Sequence, residues 1–339
     1  MLSSPNTREH PQAEQEADVA NQGTMNASRS LRLHWPEYLM EAGEAGFYLF
    51  SACCVATLLW HPGSPVQRYL PSDAVRRILM GLAMGSTVVA IVLTPWGKQS
   101  GAHFNPALTV TFYRLRKVAR WDAVFYCIAQ LLGAVGGVAL ASLVLQGAPA
   151  HKAVRYAATV PGIYGVTVAL VAELAISFIL MSAVLFALNH EALEPYTHYV
   201  AATLIATYIA FESPLSGMST NPARTLGPAV YSGYWHAFWI YFIAPPLGML
   251  AAAQVLLARK SKVPYCAKLH HHNDKRCIFH HSEPERGASA TRCKGGGPGP
   301  GMQSINRQDM NVDSVPKRDG SCGKRPVMCR AQGFMSRVR

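Results

Sequence analysis

One tripeptide, Asn-Pro-Ala, occurs twice in this sequence, each time four residues after the glycine of a Ser-Gly pair. The six residues of the two copies are Asn105, Pro106, Ala107, Asn221, Pro222 and Ala223. Asparagine is a strong helix N-cap because its side-chain oxygen accepts from the free N–H groups of the first turn, and proline suits the first helical position. Each copy therefore predicts the start of a short helix.

Two such helix starts that meet from opposite sides would place two amide donors and two positive helix ends at one point. We expect each capped asparagine to present its NH₂ group outward, toward a passing molecule. In a single row of water molecules, one whose oxygen accepts from both amides cannot continue the chain of hydrogen bonds in one direction. Cations would meet a barrier of positive potential at the same point. The simpler interpretation, two ordinary capped helices in loops, is disfavoured by the matching surroundings of the two copies.

The composition predicts a membrane protein. The chain has 339 residues, of which 50% are hydrophobic and only 15% charged, whereas about a quarter of an average soluble chain is charged. The mean hydropathy is +0.11 although both ends of the chain are polar. These values exclude a disordered chain, a collagen-like chain and a small disulfide scaffold, and they disfavour a soluble two-domain enzyme.

The chain divides into three parts. Residues 1–34 are polar, residues 35–259 form the apolar body, and residues 260–339 are rich in Gly, Pro, Arg, Ser and His. We expect disorder in the first and last parts. The last part carries ten of the twelve net positive charges, so the basic character belongs to this tail and not to a nucleic-acid-binding domain. Attraction to anionic lipid is one interpretation, and we favour a solvated tail on the cytoplasmic side.

Six apolar stretches within the body are long enough, or nearly so, to cross a hydrocarbon core of about 30 Å. They cover residues 38–60, 78–93, 123–145, 164–188, 199–211 and 235–258. Six spans place both termini on one side. That side carries ten flanking Lys and Arg residues against five on the other, which predicts a plasma (inner) membrane protein with both termini in the cytoplasm.

The two Asn-Pro-Ala copies mark an internal repeat. Each copy lies after the second span of a three-span half, and each half carries a carboxylate in its first span, Glu41 or Glu44 in one and Glu173 in the other. Three is an odd number, so the halves have opposite orientations. This is the pattern of an inverted-topology repeat with discontinuous helices.

On these motifs, the glutamates and the Thr225–Ala229 stretch, the chain resembles the major intrinsic protein family, nearer the aquaporins than the glycerol facilitators. The resemblance covers about residues 37–258. It implies an all-α membrane fold with six transmembrane helices and two half-helices. It also implies a homotetramer with one pore per subunit and passive passage of water or small neutral solutes, with no cofactor, no metal and no enzymatic activity.

The resemblance also assigns a selectivity filter. Arg224 follows the second motif directly, as the filter arginine of the family does, and an arginine inside an apolar body is costly and usually functional. Spacing places Met84, Ile209 and Met218 at the other positions, with Tyr208 as the alternative to Ile209. Water-selective members generally carry an aromatic residue and a histidine there, so these apolar side chains leave small neutral solutes as an alternative to water.

Other positions are typical of water channels. Thr225 stands where glycerol facilitators carry an acid, Ala229 where they carry a lysine, and Tyr241 begins a pair that they replace by Pro-Leu. By the same resemblance, Glu41 and Glu173 accept hydrogen bonds from loop N–H groups. As proton carriers they would instead indicate a coupled transporter. His103 packs against the half-helix in this family, although a histidine there could also respond to pH.

Two further features leave alternatives open. The tail holds a dense group of possible metal ligands, namely Cys266, His270, His271, His272, Cys277, His280 and His281. No CxxC pair is present and the spacing fits no standard zinc module, so we favour a histidine-rich disordered tract over a metal site. A polytopic membrane enzyme is disfavoured, since the spans contain neither a nucleophile with its base nor an HExxH set.

Overall fold

The computed structural model describes residues 26–271 and 273–281, and all regular secondary structure within them is helical. The α-helices are α1 (Ala27–Trp60), α2 (Pro65–Tyr69), α3 (Asp73–Leu93), α4 (Pro95–Ser100), α5 (Pro106–Arg114), α6 (Arg120–Val144), α7 (Gly165–Leu188), α8 (Thr197–Phe211), α9 (Ser213–Ser216), α10 (Pro222–Ser232) and α11 (Ile240–Ala258). Short 3-10 turns lie at Ala148–Ala150, Arg155–Ala157 and Glu194–Tyr196.

Five of these helices, α1, α3, α6, α7 and α11, are long and apolar enough to cross a bilayer. The remaining predicted span corresponds to α8, which has only 15 residues and a length of about 22 Å. It packs mainly against α3 and also contacts α7. Six helices that cross the bundle and two short helices, α5 and α10, therefore make up the expected all-α architecture.

The helix packing follows the inverted repeat. Helix α1 packs most extensively on α6, and its counterpart α7 packs on α11 in the same way. Helices α3 and α8 occupy equivalent places in the two halves and pack on each other. The short helices cross between the halves, with α5 against α11 and α10 against α6. We call the end of the bundle where α1 begins and α11 ends the terminal side.

Helix α1 begins earlier than the hydropathy pattern indicates. It starts at Ala27, so the prediction of disorder is wrong for residues 27–34, while the preceding segment 1–25 lies outside the described residues. The extra turns are held by the buried carboxylate of Asp122 on α6. Its Oδ1 accepts from the Tyr38 hydroxyl at 2.6 Å and contacts His34 Nδ1 at 2.9 Å.

The prediction of disorder also fails at the start of the C-terminal part. Residues 260–271 and 273–281, which we call the tail segment, have no helix or strand, yet Leu269 and Phe279 are 3% and 0% exposed. These apolar side chains are covered by loops of the helix bundle, a contact that the polar composition of the tail did not indicate. Residues 282–339 lie outside the described part of the chain.

Glycines allow α1 and α6 to approach closely. A Cβ added to Gly137 would lie 2.0 Å from the Gly46 carbonyl oxygen, and one added to Gly133 would lie 2.0 Å from the Ala42 oxygen. Both distances are far below van der Waals contact, so only glycine fits. Gly136, one residue before Gly137, has open space around it.

We expect Gly137→Ala to lower the stability of the purified protein in detergent by about 1–3 kcal/mol, because the added methyl group forces α1 and α6 apart. The control is Gly136→Ala, which we expect to leave the thermal unfolding midpoint unchanged or slightly higher, since alanine is the better helix former. Equal midpoints for the two variants would contradict the close approach of the two helices.

Candidate functional site

The two Asn-Pro-Ala copies start the short helices α5 and α10. Each helix begins at the proline of its motif, and Asn105 and Asn221 are the N-caps. The side-chain Oδ1 of each asparagine accepts from the backbone N–H two residues further on, at 2.9 Å in both copies. The motif alanines, Ala107 and Ala223, are fully buried. The first turn of each helix is therefore held both by the asparagine cap and by packing of its alanine.

The tips of the two short helices are joined by crossed hydrogen bonds. Asn105 Nδ2 donates to the Thr220 carbonyl oxygen at 2.9 Å, and Asn221 Nδ2 donates to the Phe104 carbonyl oxygen at 2.8 Å. We expected the whole NH₂ group to face a passing molecule. Instead one hydrogen of each amide ties the opposite loop in place, which leaves the second hydrogen of each amide for another acceptor.

One buried carboxylate holds the loop before α10. Glu173 on α7 accepts from the Ser219 N–H at 2.6 Å and from the Thr220 N–H at 2.8 Å, and the Ser216 hydroxyl donates to it at 2.8 Å. All three donors belong to the loop that carries the second motif. Because the residues next to an N-cap have no helical partners for their N–H groups, this carboxylate supplies the acceptors that the loop lacks.

Two carboxylates share the same task in the first half. Glu41 accepts from the backbone N–H of His103 at 2.9 Å and of Phe104 at 2.7 Å. Glu44 accepts only from the Ser100 hydroxyl, at 2.8 Å, which is the contact that Glu173 makes alone in the second half. The sequence left Glu41 and Glu44 as alternatives. In the structure Glu41 accepts from the backbone N–H groups and Glu44 accepts from the serine hydroxyl.

His103 is buried and both of its ring nitrogens are engaged. Nε2 lies 2.8 Å from the Ala267 carbonyl oxygen, and Nδ1 lies 3.1 Å from the Thr109 hydroxyl. A carbonyl only accepts, so Nε2 carries the hydrogen and Nδ1 of the neutral ring accepts from Thr109. The contact with Ala267 comes from the tail segment, and nothing in the sequence predicted it.

The proposed filter residues surround one cavity. A space of about 230 Å³ on the side opposite the terminal side is lined by Arg224, Met84, Ile209 and Met218, whereas Tyr208 does not line it. Ile209 is therefore the residue of α8 that faces this space. We call this space the vestibule. Its wall combines apolar side chains such as Met84 and Met218 with the charged side chains of Asp73 and Arg77.

A backbone carbonyl outside the helices fixes the arginine of the vestibule. Arg224 Nη1 donates to the Ala157 carbonyl oxygen at 2.7 Å. Ala157 ends the 3-10 turn between α6 and α7, and its φ of 55° lies in the left-handed region that is unusual for alanine. The loop between the two halves of the repeat therefore positions the guanidinium, which the sequence pattern did not indicate.

A second, smaller cavity of about 50 Å³ lies where the short helices meet. Asn105 and Asn221 line it together with apolar side chains that include Val88 and Leu180. Leu269, from the tail segment, also lines this central cavity. A narrow space with two amides on an otherwise apolar wall suits small polar molecules without a net charge.

Thr225, directly after the vestibule arginine, is buried in a chain of hydroxyl groups. Its Oγ1 is 2.7 Å from Ser219 Oγ and 2.8 Å from Thr159 Oγ1. The chain links the loop before α10 to the segment that precedes α7. Thr225 therefore takes part in holding the loop before α10 in place.

Comparison with known proteins agrees with this geometry. The sequence model of a family described as major intrinsic protein matches residues 28–256, which cover all eight helices of the repeat. The chain belongs to the major intrinsic protein family. The family and the long apolar helices together show a multi-pass membrane protein.

Curated relatives within the family come from plants and animals. The chain is 34% identical to probable aquaporin NIP4-2 of Arabidopsis thaliana over 175 residues, which cover 50% of this chain and 58% of that protein. It is 32% identical to aquaporin NIP1-1 of Oryza sativa over 61% of this chain and 68% of that one. For aquaporin-4 of Mus musculus the identity is 35%, over 54% and 55% of the two chains.

The matches to the Arabidopsis and mouse relatives span little more than half the length of those proteins. Among solved structures, the aquaglyceroporin of Plasmodium falciparum matches with a TM-score of 0.53 and 20% identity, over 66% of this chain and 95% of that one. At this identity the likeness supports the major intrinsic protein fold alone.

We expect Glu173→Gln and Glu41→Gln to destabilise the channel by about 1–3 kcal/mol each, because an amide NH₂ would face a buried backbone N–H and leave it without an acceptor. Glu44→Gln is the matched control, since Glu44 accepts from one hydroxyl and its Oε2 has no partner among the described residues. Thermal unfolding in detergent measures all three variants. A Glu44→Gln variant as unstable as the other two would contradict this assignment.

Proposed function

We propose that the chain is a passive channel for water that excludes protons and other ions. The observation that carries the proposal is the pair of asparagine amides, Asn105 and Asn221, which line one narrow cavity at the meeting point of two helix N-termini. Each amide keeps one hydrogen after its crossed bond. A water oxygen that accepts both hydrogens must orient its own hydrogens away from them, which interrupts a proton-conducting file.

The vestibule supports a filtering role for Arg224. Its guanidinium is held by the Ala157 carbonyl and faces a space lined by Met84, Ile209 and Met218. A fixed positive charge beside apolar side chains raises the energy of an entering cation and offers donors to a neutral solute. We therefore assign these four residues as the selectivity filter.

A second candidate function is the passage of small neutral solutes such as glycerol, urea or peroxide. The apolar side chains of Met84, Ile209 and Met218 favour it, because methionine is flexible and offers no hydrogen bond that would hold a water file. Thr225, buried in its hydroxyl chain in place of the acid of glycerol facilitators, favours water. We place water first.

The glutamates support a channel rather than a coupled transporter. Both oxygens of Glu41 and both oxygens of Glu173 accept hydrogen bonds from loop donors, so neither carboxylate is placed to carry a proton between two sides of the membrane.

We further propose a homotetramer in the plasma membrane with both termini in the cytoplasm. Exposed leucines on α6, including Leu132 and Leu143, are available to contact lipid or another copy.

Stopped-flow light scattering on proteoliposomes that contain the full chain tests the function. We expect fast osmotic shrinkage with a low activation energy and no change when a proton gradient is applied, because a passive channel needs no conformational step for each molecule. Glycerol, urea and peroxide in the same assay decide between the two candidates. Solute uptake driven by a proton gradient would contradict a passive channel.

We expect Arg224→Val to raise the permeability to glycerol or to small cations roughly tenfold, which corresponds to a barrier lowered by about 1.4 kcal/mol, because the fixed charge is gone. The control is Arg68→Val, which removes an exposed arginine of α2 that does not line the vestibule. Size-exclusion chromatography checks assembly. Unchanged selectivity in a folded Arg224→Val variant would show that the filter lies elsewhere.

A further inference from the structure

Four side chains that bind transition metals converge in the tail segment, outside the channel helices. The members are Cys266, His271, Cys277 and His281, and we refer to them as the Cys/His cluster. One possible ligand atom of each member lies within 4.8 Å of the corresponding atoms of the other three. Two thiols and two imidazoles at one point are typical of a tetrahedral zinc site.

The shortest distances in the cluster are close to those of a metal-bound set. Cys277 Sγ lies 3.3 Å from Cys266 Sγ and 3.3 Å from His281 Nε2. With Zn–S bonds of about 2.3 Å and Zn–N bonds of about 2.0 Å, neighbouring ligand atoms of a tetrahedron lie about 3.3–3.8 Å apart. Only small side-chain movements would therefore bring the cluster to that geometry.

The four ligands form two pairs along the sequence, and the spacing within the two pairs differs. Cys266 and His271 are five residues apart, and Cys277 and His281 are four apart. Neither pair forms the CxxC pattern by which zinc modules are usually found, so the sequence led us to favour a disordered tract. The fold of the tail segment brings the pairs together and corrects that interpretation.

The tail segment is ordered without regular secondary structure of its own. It buries the ammonium group of Lys268, whose Nζ donates to the carbonyl oxygens of Lys98 at 2.9 Å and Arg276 at 2.7 Å. Short segments without a core of their own are commonly held by a structural metal, because the free energy of metal binding is then available for folding.

The residues between the ligands make the contacts with the channel. Between the first pair, the Ala267 carbonyl accepts from His103, and the Leu269 N–H donates to the Gly101 carbonyl at 3.2 Å. Between the second pair, the Phe279 ring stacks on the His103 ring with centroids 5.3 Å apart. Because the ligands flank these contacts, a metal ion would tie both contacting stretches to each other.

We propose that the Cys/His cluster is a structural Zn²⁺ site that fixes the tail segment on the terminal side of the channel and keeps Leu269 in the central cavity. Two Zn–S bonds form as the two thiols release their protons to water, and the two imidazoles bind in their neutral form. The metal site stands on the cluster alone, whereas its effect on the pore rests on the proposed channel function. Metal supply would then set the width of the pore at Leu269.

Metal content of the full-length protein in detergent tests the site. We expect one Zn²⁺ per chain by elemental analysis and, after exchange with Co²⁺ alone, the visible absorption of tetrahedral cobalt with thiolate ligands. Cys277→Ser/His281→Ala should lose both signals. The control Cys127→Ser/His190→Ala removes one thiol and one imidazole outside the cluster and should keep them.

Retention of the metal by Cys277→Ser/His281→Ala would overturn the site, and so would a Cys266–Cys277 disulfide with no metal in the unaltered protein. If that variant does not fold, the unaltered protein is stripped with a strong chelator and titrated with Zn²⁺ alone. Failure of one equivalent to rebind stoichiometrically would then overturn the proposal.

Water flux in proteoliposomes tests the effect on the pore. We expect removal of the metal to raise the flux at least about twofold, because the tail segment is released from the channel. Leu269→Ala should raise it similarly while the bound metal is retained. Unchanged flux in both cases, with metal bound and the channel active, would overturn the role of Leu269. An absence of flux under every condition would instead contradict the proposed function and leave the metal result unaffected.

Discussion

Backbone N–H groups that enter an apolar helix bundle without helical partners must find polar acceptors there, because neither lipid nor apolar side chains supply any. The loops before α5 and α10 bring such groups into the bundle, and Glu41 and Glu173 accept from two consecutive N–H groups in each. The helix starts, the crossed asparagine bonds and the cavity between them are in place because these four donors are satisfied.

In each half of the inverted repeat, buried carboxylates accept from the loop N–H groups, but the two halves divide the hydrogen bonds differently. Glu173 alone receives both N–H groups and a serine hydroxyl, whereas the first half divides these bonds between Glu41 and Glu44. Tyrosines complete the pattern, since Tyr126 donates to the Ser100 carbonyl and Tyr241 to the Ser216 carbonyl. The shared bonds explain how two stretches with little sequence identity beyond the motif adopt equivalent conformations.

Segments outside the six crossing helices contribute to both cavities. On one side, the Ala157 carbonyl positions Arg224 at the vestibule. On the terminal side, Leu269 of the tail segment lines the central cavity and Ala267 engages His103. The two short helices therefore define the central cavity, while a loop and the tail segment supply groups on either side of it.

The sequence by itself determined the elements whose cause is local. Asparagine followed by proline caps and begins a helix whatever surrounds it, and an apolar stretch of about 20 residues spans a bilayer by its length alone. The apolar spans, the two short helices and the opposite orientation of the halves were predictable for that reason. Met84, Ile209 and Met218 were assigned by the family resemblance together with spacing, and the fold brings them to one vestibule with Arg224.

Only the tertiary structure decided the contacts between residues that are distant in the chain. Spacing could not assign Glu41 and Glu44 to different donors, because both lie on nearly the same face of α1. Spacing also could not identify the backbone carbonyls of Ala157 and Ala267 as hydrogen-bond acceptors. Every residue has a backbone carbonyl, so residue type does not show which one will accept from a distant side chain. The polar composition of the tail predicted disorder, but burial of Leu269 and Phe279 depends on the surface that receives them, and that surface exists only once the helices have packed.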